Sequence, residues 1–120
     1  MSYTFRAAGT PIWDPALRVG QLYLGQAEAV AGLLEVPSGL TPRLDGRCDL
    51  DPDEFATFVQ HLLRFYNRGR HAALSQMLRG VVLVSLVLLD RAGEHPVPHD
   101  SETLDALLTE ATALDRTMSI

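Results

Sequence analysis

The sequence lacks lysine altogether, because all ten of its basic residues are arginine. It therefore has no P-loop lysine for nucleotide phosphates, no Schiff-base lysine for pyridoxal phosphate and no Ser-Lys dyad. It also has no Ser-His-Asp signature, no His-Glu-x-x-His zinc motif and no glycine-rich phosphate loop. We therefore expect no cofactor and no catalytic residue, and we favour a protein that is not an enzyme.

Cysteine is nearly absent too, with Cys48 as its single copy, so no disulfide forms within the chain. A reducing compartment is the usual location of such a protein. The first residues lack the basic-then-apolar pattern of an export signal. The apolar run 81–89 is too short to span a bilayer, and Arg79 and Asp90 bracket it closely. The sequence predicts a cytoplasmic protein without a membrane partner.

Acidic residues outnumber basic ones, and the formal net charge of the 120 residues is −5. A nucleic-acid-binding protein needs a basic footprint, so the balance argues against that class. The charges are segregated along the chain. Residues 61–79 contain four arginines, two histidines and no acid, whereas residues 94–120 contain six acids and one arginine. We expect a basic strip and an acidic element on a single domain of ordinary size.

Apolar periodicity and end signals predict four helices, at about residues 15–35, 52–67, 71–92 and 101–117. The second helix has the strongest start, with Asp51 as N-cap and Pro52 in the first helical position. The third contains the run 81–89, which is apolar on every side and so belongs at the centre of the fold. The first has a wider apolar arc than one bundle face needs, which predicts a homodimer.

The remaining segments carry extended or turn-like patterns. Residues 1–13 form an extended arm, with strand-like alternation at 3–7. A lone strand needs a partner, either in a hairpin with residues near Ile12 and Trp13 or in another subunit. Residues 40–50 are interpreted as a loop. The predicted fold is therefore mainly α: one four-helix bundle-like domain, 1–120, with a short N-terminal extended segment.

Histidine and arginine on the second helix form the main candidate binding site. His61, Arg64 and Arg68 share its polar face, and arginine presents a planar fork that suits carboxylate or phosphate. A solvated face that offsets the acidic fourth helix explains the same pattern. Nearby aromatic residues are either core residues or the lining of a ligand pocket. The full candidate set for ligand or partner binding is His61, Arg64, Arg68, Arg70, His71, Tyr66 and Trp13.

Two other patterns resemble metal sites, but simpler explanations account for both. Asp49, Asp51 and Asp53 alternate like the start of a calcium loop, yet the glycine and the final acid of that loop are missing. Helix capping explains these acids. His95 and His99 are four residues apart, but Pro96 and Pro98 break the helix that would bring them to one face. We predict no metal site.

Three short patterns are similar to small acidic proteins of unknown function found in actinobacteria. They are Ile12-Trp13-Asp14-Pro15, Leu34-Glu35-Val36-Pro37-Ser38-Gly39 and Asp51-Pro52-Asp53-Glu54-Phe55. The resemblance covers most of the chain and implies no known activity or catalytic residue.

The predicted function is a non-catalytic protein-interaction module of the immunity-protein, antitoxin or adaptor type. Its partner is another protein or a second copy of the chain, since segregated charge steers protein encounters. The alternative is a small ligand-binding protein or enzyme of a biosynthetic pathway. In that case an aromatic-lined pocket would hold an anion through His61, Arg64 or Arg68.

Overall fold

The computed structural model describes residues 1–68, 71–96 and 101–120, and of Ser101 it describes the backbone alone. Eight elements follow one another along these residues. They are β1 (Thr4–Ala7), β2 (Thr10–Trp13), α1 (Leu17–Leu34), β3 (Leu40–Arg43), β4 (Arg47–Leu50), α2 (Pro52–Arg68), α3 (Ala72–Arg91) and α4 (Ser101–Asp115).

The expected mainly α, four-helix bundle-like fold is wrong, because the chain also forms a four-stranded mixed sheet. The strand order is β2-β1-β4-β3, with β1 and β4 parallel and both outer pairs antiparallel. The extended arm pairs within the chain, in a β1–β2 hairpin. Residues 40–50, interpreted as a loop, instead form a second hairpin whose strand β4 lies beside β1. The domain is therefore α/β.

The second hairpin has a local signal that the loop interpretation missed. Asp45-Gly46 is a strong hairpin dipeptide, and Gly46 has a φ of +75° in the three-residue turn between β3 and β4. Pro42 lies in β3, at the edge of the sheet. Proline has no N–H to donate, so it is tolerated at a sheet edge and discourages further strand pairing there.

One face of the sheet packs against the helices and forms the core. Phe5 of β1 and Cys48 of β4 are fully buried and lie in register beside each other. From the helical side, Phe55 and Phe58 of α2 and Leu88 of α3 are also fully buried. By length and composition alone α3 could cross a membrane, and 44% of its most apolar window is buried inside the fold.

Two aspartates precede helices, and only one of them caps its helix. Asp51 Oδ1 accepts a hydrogen bond from the backbone N–H of Glu54 at 3.0 Å, so it caps α2 as predicted. Asp14 does not cap α1, which begins at Leu17. Its Oδ1 accepts a hydrogen bond from Thr4 Oγ1 at 2.8 Å, which holds the start of β1 instead.

Ala8 is strained in the turn between β1 and β2, because φ is +50° at Ala8 and +81° at Gly9. A two-residue hairpin turn of this kind prefers asparagine at the first position. We expect Ala8→Asn to raise the free energy of unfolding by about 0.5–1 kcal/mol, measured by urea denaturation. The same change at exposed Ala113, within α4, should lower it by about 0.5 kcal/mol. Destabilisation by Ala8→Asn would contradict this view of the turn.

The buried Cys48 thiol and Tyr23 hydroxyl predict how the free energy of unfolding changes at alkaline pH. Burial, with a smaller contribution from the Asp49 carboxylate, raises the pKa of the Cys48 thiol to about 12, and burial also raises the pKa of Tyr23. Above about pH 8.5 the unfolded chain loses the thiol proton while the folded chain keeps it. The contribution of the protonated thiol to the free energy of unfolding is therefore fully present below about pH 8.5 and decreases as the pH rises towards 12. In urea denaturation Cys48→Ala should show a smaller fall between about pH 8 and 10, and an equal fall would refute this assignment.

Candidate interaction surface

The predicted basic strip lies on an exposed edge of the molecule. Arg64 and Arg68 are exposed on α2, and exposed His71 precedes α3. His61 is half-buried, and its Nδ1 lies 2.9 Å from a backbone carbonyl oxygen one turn earlier in α2. Arg70 lies outside the described residues. The described members of this strip do not line the apolar cavity defined below.

Tyr66 has a structural role that the sequence prediction did not anticipate. Arg79 Nη1 donates a hydrogen bond to the Tyr66 hydroxyl at 2.7 Å, and Arg79 Nη2 pairs with the Glu110 carboxylate. One guanidinium thus connects α2, α3 and α4. The pairing of the basic segment with the acidic fourth helix agrees with the simpler explanation, in which these charges offset each other.

Trp13 lies in an aromatic cluster at the junction of the sheet and α1. Its ring stacks on Phe5 with centroids 5.2 Å apart and meets Tyr23 edge-on at 5.9 Å. The Tyr23 hydroxyl in turn lies 2.7 Å from Ser85 Oγ inside the core. Such offset and edge-on contacts stabilise aromatic clusters beyond the burial of their area. Trp13 is therefore a core residue, 5% exposed, with one edge on a cavity.

That cavity is an open groove of about 470 Å³ between α1, α3 and the C-terminal segment. Its volume lies in the range of small-molecule sites, but its lining is predominantly apolar and contains no charged side chain. The lining consists of Trp13, Pro15, Val19, Leu22, Tyr23, Gln26, Gly80, Val84, Leu114, Thr117, Met118 and Ser119. We call it the α1 groove.

Arg91, at the end of α3, holds one wall of the α1 groove in place. Its Nε pairs at 2.7 Å with the carboxylate of Asp115, the last residue of α4. Its Nη1 donates to the carbonyl oxygen of Ile12 at 2.8 Å, and its Nη2 donates to that of Met118 at 2.9 Å. The side chain is only 12% exposed. Charge-assisted hydrogen bonds of this kind are stronger than neutral ones, so Arg91 joins β2, α3 and the C-terminal segment.

Along one side of α1, and at one position of α3, large apolar side chains are open to solvent. Val19, Leu22 and Leu33 of α1 and Met77 of α3 are between 51% and 71% exposed. The α1 residues follow helical spacing along one side, with exposed Gln26 and Ala29 between them. We call the surface made of Val19, Leu22, Gln26, Ala29 and Leu33 the α1 face. The wide apolar arc of α1 in the sequence was the signal for it.

Of the glycines in α1 and α3, one is required by packing within the described residues and three are not. A Cβ added at Gly20 would lie 2.7 Å from Tyr3, so that glycine is needed for packing. A Cβ at Gly25, Gly32 or Gly80 would meet nothing within 4 Å. Each glycine inside a helix costs about 1 kcal/mol relative to alanine. Contacts within the described part of the chain therefore do not account for the last three.

The outer face of the sheet carries a polar cluster that sequence reasoning missed. Arg43 pairs with Asp49 at 2.7 Å, and Arg47 pairs with Asp45 at 2.8 Å. The third arginine, Arg6, donates from its Nη2 to a backbone carbonyl oxygen at 3.0 Å. Charges of both signs are present, and two of the three arginines pair with carboxylates, so this face has the character of a solvated surface. Within residues 1–68, 71–96 and 101–120, no three His, Cys, Asp or Glu side chains form a metal-binding group.

The fold and this surface define a small α/β domain with an apolar helical face open to solvent. The chain belongs to the Family of unknown function (DUF6086), whose profile matches residues 1–120. No curated protein and no solved structure matches it. The resemblance stated above is thus confirmed as far as membership of a family of unknown function, whereas the actinobacterial source stays a prediction.

Replacing Arg91 tests its role at the α1 groove. Arg91→Gln removes the ion pair with Asp115 and most of the hydrogen bonds to three chain segments. We expect the free energy of unfolding to fall by about 2–3 kcal/mol. Arg116→Gln, an exposed position on the same segment, is the control and should change it by less than about 0.5 kcal/mol. Thermal or urea denaturation measures both, and equal effects would contradict the assigned role.

Proposed function

We propose that this protein is a non-catalytic protein-interaction module and that the α1 face is its contact surface. The observation that carries the proposal is the row of exposed large apolar side chains along one side of α1: Val19 and Leu22 line the groove, and Leu33 continues the row. Monomeric soluble proteins rarely expose contiguous apolar surface without a partner. Burial of such side chains is the main favourable contribution to protein association.

The positions of the reactive side chains support a non-catalytic role. The Cys48 thiol is buried, and its raised pKa keeps it protonated at neutral pH, where nucleophilic catalysis needs a thiolate. His61 is bonded to its own helix and lies away from the α1 groove. The groove thus offers apolar contact and few polar groups, which suits an apolar side chain of a partner.

The ligand-binding alternative requires that His61, Arg64 or Arg68 reach an aromatic-lined pocket. The α1 groove has two aromatic residues in its lining, Trp13 and Tyr23, but no histidine or arginine. An anionic ligand in that groove would leave its charge without a cation. The interaction module is therefore the better supported of the two functions.

Site-specific photo-crosslinking in the native host tests the proposal. A photoreactive phenylalanine analogue replaces Leu22 on the α1 face, and the control places it at exposed Arg64 on α2. We expect a discrete crosslinked protein product from position 22 and none from position 64, because only the first lies at the proposed contact. Circular dichroism shows that both variants are folded. No product from position 22, or equal products from both positions, would overturn the proposed function.

A further inference from the structure

We propose that the partner at the α1 face is a second copy of this chain, with the two α1 helices packed antiparallel about a two-fold axis at Gln26. This inference rests on the proposed function and names the partner of the same surface. Four independent features of α1 support it: spacing, symmetry, charge and glycine placement.

The exposed positions of α1 have the spacing of a helix-pairing seam. Val19, Leu22, Gln26, Ala29 and Leu33 are separated by alternating steps of three and four residues. This is the spacing of the positions that meet in a two-helix interface. The buried residues Tyr23, Ala27, Val30 and Ala31 lie on another side of the helix and pack inside the chain. The seam is thus additional to the surface that α1 uses within its own fold.

The two ends of the seam are complementary when the two helices run antiparallel. Val19 and Leu33 lie seven residues before and after Gln26, so a two-fold axis at Gln26 places Leu33 of the second copy over Val19. Val19 borders the α1 groove, and Leu33 is a large exposed side chain outside it. Leu33 of each copy therefore fills the groove of the other. This is the isologous contact that a two-fold dimer requires.

Gln26 is the polar residue at the centre of the seam. A side-chain amide both donates and accepts hydrogen bonds, so it pairs with an identical amide across a two-fold axis. A polar residue buried in an otherwise apolar helix interface restricts the register of the two helices, because any register that leaves its amide without a hydrogen-bond partner costs free energy. Its exposure in the single chain leaves it free for this contact.

The charges at the two ends of α1 interact unfavourably with the dipole of the helix, but they are complementary to those of an antiparallel second copy. Arg18 lies in the first turn and Glu35 at the C-cap, whereas a helix is stabilised by acids at its start and bases at its end. Neither side chain has a partner in the part of the chain that the structure describes. An antiparallel copy brings Arg18 near Glu35 at both ends of the interface. A parallel copy would place like charges together.

Gly25 and Gly32 lie beside the seam, at equivalent positions one heptad apart. Contacts within the described chain do not require them, in contrast to Gly20, which packs against Tyr3. A second helix approaches most closely where side chains are absent. The two glycines thus fit a close helix–helix contact that forms outside the single chain.

Light scattering after size exclusion, over a range of micromolar concentrations, tests the dimer. We expect the full chain to have the mass of a dimer and Leu33→Gln that of a monomer, with unchanged circular dichroism. Leu44→Gln is the matched control, because Leu44 is a fully exposed leucine in the β3–β4 turn, off the α1 face. A monomeric full chain, or a Leu33→Gln variant that dimerises as well as Leu44→Gln, would overturn the inference.

Cysteine crosslinking tests the antiparallel arrangement, and native Cys48 does not interfere because it is buried. Gln26→Cys should form a disulfide dimer under mild oxidation, since residues on the axis face their own copies. Val19→Cys should form none alone but should link to Leu33→Cys when the two variants are mixed. Arg64→Cys, away from the seam, should stay unlinked. Self-linked Val19→Cys at a rate equal to that of Gln26→Cys would indicate parallel helices and contradict the inference.

Charge and glycine variants separate the dimer contact from effects within the chain. Arg18→Glu should weaken the dimer about three- to tenfold, and the added Glu35→Arg should restore it. An interaction with the helix dipole alone predicts no loss from Arg18→Glu. Gly25→Ala should stabilise the folded monomer yet weaken the dimer. If neither Arg18→Glu nor Gly25→Ala changes the dissociation constant of the dimer, the antiparallel contact is refuted.

The outcomes separate this inference from the proposed function. A product of position 22 with twice the chain's mass supports both. A product with a different protein, together with a monomeric purified chain, supports the interaction module and overturns the homodimer. No product with any protein overturns both.

Discussion

The parallel pairing of β1 with β4 is the contact on which the rest of the fold depends. It joins Phe5 to Cys48 in register, and both side chains are fully buried beneath the helices. The two flanking hairpins extend the sheet on either side. Without this pairing the hairpins would be separate two-stranded units, which are marginally stable in water. With it, they form one surface against which α1, α2 and α3 pack.

The position of α1 follows from that sheet. Tyr3 packs against Gly20, and the aromatic cluster around Phe5 contacts Tyr23, so the inner side of α1 is fixed close to β1. Its opposite side then faces solvent, because α2 and α3 contact α1 from the inner side. Arg91 completes the arrangement by tying the C-terminal segment to β2, and this segment closes one side of the α1 groove. An exposed apolar helix face beside a groove is the result.

The α2 strip predicted from the sequence does not line the α1 groove, and there is a physical reason for that choice. The α2 strip was chosen because arginine and histidine are the groups that bind anions, and their spacing on the helix is clear. The fold instead pairs Arg79 with Tyr66 and Glu110, and leaves Arg64 and Arg68 exposed on an edge. The wide apolar arc of α1 did indicate apolar residues beyond those that pack inside the chain. Which residues of that arc lie outside depends on the sheet, which the sequence prediction did not include.

The sequence by itself determined the helices, and its lack of lysine removes every mechanism that needs a lysine of this chain. Helix signals are local: Asp51 caps its own helix three residues away, and apolar spacing repeats within a few turns. Only the tertiary structure decided the pairing of β1 with β4, the packing of Trp13 and the exposure of Val19, Leu22 and Leu33. β1 and β4 are about forty residues apart in the chain, and their pairing depends on burial that both segments achieve together. Short strands have little local preference of their own, so neighbouring sequence does not specify such a contact.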